Sequence, residues 1–235
     1  MSQQHDVSSL SKTRLDRRSL LTSAVAVGAG VAGLGLIGEA SRVAAAGMSD
    51  TAADALGEAM RKLWQEHIIW TRLYIVSFVA GLPDLNATTE RLLRNQTDIG
   101  NAIKPYYGAA AGTQLTRLLR QHILGAAALL KAAKAGDTVA VARANSDWYV
   151  NANEIAAFLH GANPKNWPLG DMKQMMRRHL NLTLAEATAQ LQGRYTDSVA
   201  AYDRVETEIL GMADMLADGI AAQFPRLHNQ GQGRG

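Results

Sequence analysis

The sequence predicts an all-α fold: an antiparallel helical bundle of four main helices plus one or two shorter ones, placed after an N-terminal signal segment. Apolar residues make up 47% of the 235 residues and recur at spacings of three and four along most of the chain. Only five prolines occur, and the strand patterns and glycine-rich phosphate loop of a nucleotide-binding fold are missing. Cysteine is absent, which excludes disulfides, zinc–thiolate sites and iron–sulfur clusters.

The N-terminal segment has the order of a secretory signal. A polar stretch that contains Arg17 and Arg18 precedes an apolar run over 19–37, and a small-residue cleavage site follows at 44–46. The two arginines followed by Ser-Leu-Leu resemble the twin-arginine export motif. The resemblance implies the twin-arginine export machinery as a partner and a periplasmic or extracellular location. An uncleaved signal would instead anchor the protein in the membrane.

We expect three segments: a signal over 1–46, a helical domain over 47–225 and a flexible polar tail over 226–235. The signal holds five basic and three acidic residues, which leaves 19 basic and 18 acidic residues in the rest of the chain. This near-neutral balance argues against a nucleic-acid partner. Beyond the signal, no stretch is apolar for long enough to span a membrane, so the helical domain is expected not to do so.

The first half of the helical domain is predicted to form two helices. The first runs from Thr51 to Ala80, carries His67 on its apolar stripe and ends at the Gly-Leu-Pro sequence that starts at Gly81. The second begins near Asn86 and is ended by Pro105, because the residue before a proline is pushed away from helical geometry.

A third helix is expected after a short turn over 108–112, with His122 on its apolar face. Gly136 stops it, and Asp137 is the predicted N-cap of a fourth helix. That helix ends before the irregular stretch 161–167.

The last part of the chain is predicted to hold one short and one long helix. The short one starts at Pro168 and ends near Leu180. Thr183 and Glu186 have the spacing of a capping box, which predicts that a helix of about forty residues begins there and runs to Phe224. No internal repeat is apparent in the sequence.

Three histidines lie on or beside the apolar stripes of three different helices, so all three can point inward. Histidines and carboxylates that converge from several helices are how bundles build metal sites. The same residues have a structural interpretation, since a buried histidine is commonly satisfied by a hydrogen bond. The candidate metal ligands are His67, His122, His179, Glu66, Glu154 and Met176.

Methionines on the predicted short helix are a second indication of a metal site. Met172, Met175 and Met176 can share one face with His179. Thioether and imidazole ligands suit copper, whereas methionine also fills gaps in ordinary cores. Copper, iron or haem are the cofactors left open, and covalent c-type haem is excluded because no Cys-x-x-Cys-His is present.

Several polar residues fall on faces that should be largely buried. Such groups must find partners, so they either line a ligand pocket or fix the register of the helices. Arg72 is expected to pair with Asp98 or Glu154 across the bundle. The candidate pocket residues are Arg72, Asn95, Asp98 and Asn151.

The runs at 66–72 (EHIIWTR), 95–108 (NQTDIGNAIKPYYG) and 163–167 (NPKNW) resemble a group of small helical bacterial and archaeal proteins with no established activity. The similarity covers about residues 55–225. It implies the helical fold and gives no catalytic residue to carry over.

Three functions follow as hypotheses. The first is an exported bundle that binds a metal ion or small cofactor through inward His, Glu and Met groups. The alternative is a cell-envelope binding or scaffold protein whose buried polar network is purely structural and holds no metal. The third is an enzyme that uses Glu154, Asp98 or His67 in acid–base chemistry, although no spacing singles it out.

Overall fold

The computed structural model describes the backbone of residues 36–224 and the side chains of residues 52–224. The twin-arginine pair and the tail over 226–235 lie outside these described residues. The six elements of the described chain are all α-helices: α1 (Leu36–Ala80), α2 (Leu85–Ala102), α3 (Lys104–Ala135), α4 (Thr138–Ala162), α5 (Leu169–Leu191) and α6 (Tyr195–Gln223). The prediction of an all-α bundle is confirmed.

The helices pack as a ring in chain order. α2 packs against α3, α3 against α4, α4 against α5 and α5 against α6. The ring closes between α6 and α1, where Arg61 Nε lies 2.5 Å from Asp214 Oδ1 and Gln65 Nε2 donates to Glu206 Oε1 at 3.0 Å. Among the described helices, none has a stretch long and apolar enough to cross a membrane.

Three similar hairpins, α1–α2, α3–α4 and α5–α6, make up this ring. Each turns at a glycine with a left-handed backbone, and the φ angles are 67°, 70° and 71°. A side chain at such a position would be strained, so glycine suits the turn. Each glycine follows a histidine by fourteen residues, in the pairs His67–Gly81, His122–Gly136 and His179–Gly193.

The repeat extends into the core. The residues seven before and one after each histidine are all buried apolar side chains, so each hairpin presents the same face to the middle of the ring. These residues are Met60, Leu115 and Met172, then Ile68, Ile123 and Leu180. The expectation of a chain without an internal repeat is therefore wrong: the repeat lies in spacing and burial more than in residue identity.

The predicted helix boundaries hold in part. Gly136 ends α3, and Asp137 caps α4 by accepting a hydrogen bond from the Ala140 amide at 2.9 Å, as expected. α1 begins at Leu36, before the predicted start at Thr51. The predicted turn over 108–112 is instead a kink inside α3 at Gly108, whose φ is 84°.

The capping box predicted at Thr183 is wrong. α5 continues through it to Leu191, and the chain turns at Gly193, so the helix of about forty residues is two separate helices. The Glu186 carboxylate is held by Arg72 at 2.8 Å, and the Thr183 hydroxyl has no hydrogen-bond partner. Both residues therefore lie in the interior of a helix, where a tertiary contact uses the Glu186 carboxylate.

Candidate functional site

The three hairpins bring three histidines together in the core. His67 on α1, His122 on α3 and His179 on α5 are 3%, 4% and 5% exposed. The His67 and His179 ring centroids are 5.8 Å apart, and those of His122 and His179 are 6.5 Å apart. The repeat explains this meeting, because each histidine occupies the same depth in its own hairpin. We refer to these three side chains as the histidine cluster.

Tryptophans enclose the histidine cluster on two sides. Trp64 meets His67 edge to face with centroids 5.7 Å apart, and Trp148 lies against His122 at 5.2 Å. Both tryptophans are nearly fully buried. The cluster is thus buried, with an aromatic neighbour on two of its sides.

Each histidine has a polar partner on the second helix of its own hairpin, 29 residues further along the chain. The three contacts are His67 Nδ1 to Gln96 Nε2 at 3.2 Å, His122 Nδ1 to Asn151 Oδ1 at 2.9 Å and His179 Nδ1 to Glu208 Oε2 at 3.1 Å. In all three, Nδ1 is the ring nitrogen that is used, which leaves Nε2 for another partner.

The proton of His122 can be placed from its neighbours. Asn151 donates its amide hydrogen to the Leu118 carbonyl at 3.2 Å, so its oxygen faces the imidazole. The His122 Nδ1–H therefore donates to Asn151, and Nε2 keeps its lone pair. A histidine whose second nitrogen is tied in this way is oriented for metal binding.

His179 has the same arrangement with a carboxylate. Its Nδ1–H donates to Glu208, and both side chains are 6% exposed. A carboxylate behind an imidazole fixes the tautomer and orientation of the ring and is a frequent second partner of metal-bound histidine.

His67 differs from the other two. The Gln96 amide nitrogen donates to the Leu92 carbonyl at 2.9 Å and to Asn95 Oδ1 at 3.1 Å, so it is a nitrogen that faces His67. These two bonds use both hydrogens of the amide group, so none is left for His67 Nδ1, which lies 3.2 Å from the same nitrogen. The Gln96 oxygen is buried without a hydrogen-bond partner, which marks this position as the incompletely satisfied part of the cluster.

Burial keeps two of the imidazoles neutral. Desolvation lowers the pKa of His67 well below its ordinary value of 6.5, and the nearby His179 and His122 lower it further. Desolvation, with a further contribution from His179, lowers the pKa of His122 to about 3. Neutral imidazole is the form that binds metals.

The predicted carboxylate ligands do not join the cluster. Glu66 pairs with Arg91 at 2.6 Å. Asp98, which was predicted to line a pocket, lies 4.0 Å from the same guanidinium. Glu154 is exposed on α4. Met176, by contrast, is buried on α5 one turn before His179.

Two of the predicted pocket residues take part in the polar network. Asn151 orients His122, and Asn95 donates to the Leu63 carbonyl at 3.0 Å while accepting from Gln96. The expected pairing of Arg72 with Asp98 or Glu154 is wrong. Arg72 binds Glu186 on α5 at 2.8 Å, because α5 lies beside this part of α1.

Sequence reasoning missed three residues of the site: Gln96, Glu186 and Glu208. A signal for Gln96 and Glu208 was present, since each lies 29 residues after a histidine, as Asn151 does. The equal spacing between histidine and glycine in the three hairpins indicates equivalent positions, and it would have pointed to Gln96, Asn151 and Glu208 as the partners of the histidines.

The imidazole rings lie farther apart than they would if all three coordinated one metal ion. Metal–nitrogen distances of about 2.0–2.1 Å bring ring centroids in a tetrahedral three-histidine site to about 5 Å from one another. The observed 5.8 and 6.5 Å are wider. Within residues 52–224, no group of three or more His, Asp or Glu side chains is already arranged to hold a metal ion.

The chain matches no protein family, curated protein or solved structure to which it was compared.

Proposed function

We propose that this protein binds a first-row transition-metal ion at the histidine cluster, with Nε2 of His122 and His179 as its first ligands and His67 as the third. The observation that carries the proposal is the meeting of three buried imidazoles from three hairpins, each with a polar side chain beside its Nδ1. Building such a cluster without a ligand costs stability, because buried polar groups lose their hydration.

The chemistry of the donors favours particular metals. Imidazole suits copper, iron, nickel and zinc, and the neutral form of His67 and His122 is maintained by burial. The Met176 thioether, one turn before His179, would favour copper within this set. Binding requires the three rings to move closer together by about 1 Å, starting from the centroid separations of 5.8 and 6.5 Å.

Metal content of the full chain tests the proposal. We expect about one copper or iron ion per chain by elemental analysis of protein purified without chelator, with a visible spectrum to distinguish an ion from haem. His122→Gln and His179→Gln should each lose the metal, because each removes an imidazole ligand. His160→Gln is the matched control, since His160 lies outside the cluster and contacts the Trp167 carbonyl.

A gain-of-binding variant makes the test sharper. In Gln96→Glu, a carboxylate would accept a hydrogen bond from His67 Nδ1–H, which would hold the proton on Nδ1 and leave the Nε2 lone pair for the metal, as in His122 and His179. We expect metal affinity to rise about tenfold, the size of typical second-partner effects. Circular dichroism of each variant shows whether it is folded. Folded wild-type protein that contains no metal and takes up no added copper, iron or zinc would contradict the proposal.

A purely structural network is the second candidate. It is favoured by the hydrogen bonds that already satisfy Nδ1 of His122 and His179 and by the spacing of the rings. In that case His122→Gln and His179→Gln would lower stability without any change in metal content, and Gln96→Glu would only destabilise the fold.

We further propose that the chain is exported through the twin-arginine route, on the basis of Arg17, Arg18 and the apolar run that follows. Changing both arginines to lysine preserves charge but removes the recognised pair. We expect the wild-type chain in the periplasmic fraction of its host and the variant as precursor inside the cell. Equal export of both would contradict this route.

A further inference from the structure

An apolar cavity lies next to the histidine cluster, between α1, α2, α3, α4 and α5. Its volume is about 280 Å³. The hairpins contribute to its wall at equivalent positions, four and eight residues after each histidine. These positions are Thr71, Ala126 and Thr183, then Ile75, Leu130 and Ala187. Four residues are about one helical turn, so the cavity begins roughly one turn beyond the imidazoles.

The wall of this cavity carries no charged side chain. Most of the lining consists of Ile, Leu, Val and Ala, together with the aromatic rings of Tyr74 and Trp148. A charged ligand would lose its hydration there with no counter-ion to replace it. The cavity is therefore suited to a neutral, largely apolar molecule.

Two lining residues carry buried polar atoms without a partner, namely Trp148 Nε1 and Thr183 Oγ1. Both residues are more than nine-tenths buried. The equivalent threonine of the first hairpin, Thr71, donates to the His67 carbonyl at 2.7 Å, whereas Thr183 makes no such bond within α5. Two hydrogen-bond donors are thus left unused beside an apolar space, and an unused buried donor costs stability.

We propose that this cavity binds a small neutral molecule with an apolar body and one hydrogen-bond acceptor, as in an aryl or alkyl ketone. The acceptor takes the hydrogen of Thr183 or Trp148, and the apolar body fills the space among the Leu, Ile and Ala side chains. An apolar cavity of about 150 Å³ accommodates benzene. A volume of about 280 Å³ leaves room for a substituted ring. This inference does not depend on metal binding.

Three compounds of similar shape separate the contributions of the acceptor and of charge: acetophenone, isopropylbenzene and benzoate. Calorimetric titration of the full chain in the presence of EDTA removes any contribution from metal. We expect acetophenone to bind, isopropylbenzene to bind about fivefold more weakly for lack of an acceptor, and benzoate not to bind. Failure of the metal proposal would leave these results unaffected.

Variants connect the binding to the cavity. Thr183→Val keeps the shape of the side chain but removes the hydroxyl, so acetophenone should bind about fivefold more weakly while isopropylbenzene is unchanged. Ala187→Leu fills the cavity and should abolish binding of both. Thr207→Val is the control, because Thr207 is exposed on α6 and bonds the Asp203 carbonyl.

Three results would overturn the inference. The first is that none of the compounds binds. The second is that benzoate binds as tightly as acetophenone. The third is that Thr183→Val and Ala187→Leu, both folded by circular dichroism, bind acetophenone as the wild type does.

Discussion

Arg72→Met is expected to destabilise the protein by about 3 kcal/mol at neutral pH, because it leaves a carboxylate in the core without its cation. Glu186 is 1% exposed, and Arg72 Nη1 lies 2.8 Å from its Oε1. The Arg72 guanidinium also lies over the Tyr202 ring, at 5.1 Å from its centroid. Methionine retains much of the apolar stem, so the loss reports mainly on the charge.

The effect should depend on pH in a defined direction. Burial raises the pKa of Glu186 above its ordinary value of 4.5, and Arg72 partly counteracts this. Without Arg72, the folded-state pKa rises further above the unfolded value, so the folded state holds the proton more tightly. The variant therefore loses stability as pH rises, and its deficit relative to the wild type should shrink as pH falls from 7 towards 5. Urea unfolding at several pH values measures this difference.

Arg61→Met is the matched control. Arg61 pairs with Asp214 at a similar distance, but both side chains are more than a third exposed. Solvent screens that pair, so its removal should cause no measurable change at any pH. An Arg72→Met variant as stable as the wild type, or a deficit that stays constant from pH 7 to 5, would contradict the account of Glu186 as a buried charge.

Gly112→Ala is expected to cost about 3 kcal/mol, because α2 and α3 approach each other too closely to admit a methyl group. A Cβ at Gly112 would lie 2.5 Å from the Gly100 carbonyl oxygen, and a Cβ at Gly100 would lie 2.6 Å from the Gly112 carbonyl oxygen. These contacts involve backbone atoms, so the helices themselves would have to separate. Chemical denaturation should show a lower midpoint with an unchanged slope.

Gly211→Ala provides the opposite result for comparison. Gly211 lies within α6, and a Cβ there meets nothing within 4 Å. Alanine should stabilise this helix by about 0.5–1 kcal/mol, because glycine is a poor helix former. If Gly112→Ala raised stability as Gly211→Ala does, the close crossing of α2 and α3 would not be a constraint on the fold.

The helix boundaries could be predicted from the sequence where the start or stop signal acts on its own neighbouring residues. Gly136 and Asp137 act through their own backbone and side chain, so their roles hold in the structure. Thr183 and Glu186 show the opposite case. Their spacing is that of a capping box, but the Arg72 contact to Glu186 comes from a helix more than a hundred residues away.

The candidate site was predictable in its members more than in its geometry. The three histidines were expected to face inward because each lies on or beside the apolar stripe of its helix. A stripe does not determine how far along the bundle each histidine lies, so it could not predict that the three would meet. Depth is fixed by the distance from each histidine to its turn glycine, which is the same in all three hairpins. The partner of Arg72 could not be chosen, because the order of helices around the ring is a tertiary property.

The ring has a consequence for how the chain folds. Contacts within a hairpin, such as His179 with Glu208, join residues 29 apart, whereas Arg61 and Asp214 are 153 apart. Loop-closure entropy grows with the logarithm of that separation, and the difference amounts to about 1.5 kcal/mol. We expect the hairpins to form early and the α1–α6 seam to close late. Because the histidine cluster draws on all three hairpins, its assembly coincides with the last stage of folding, and any ligand it holds would keep the seam shut.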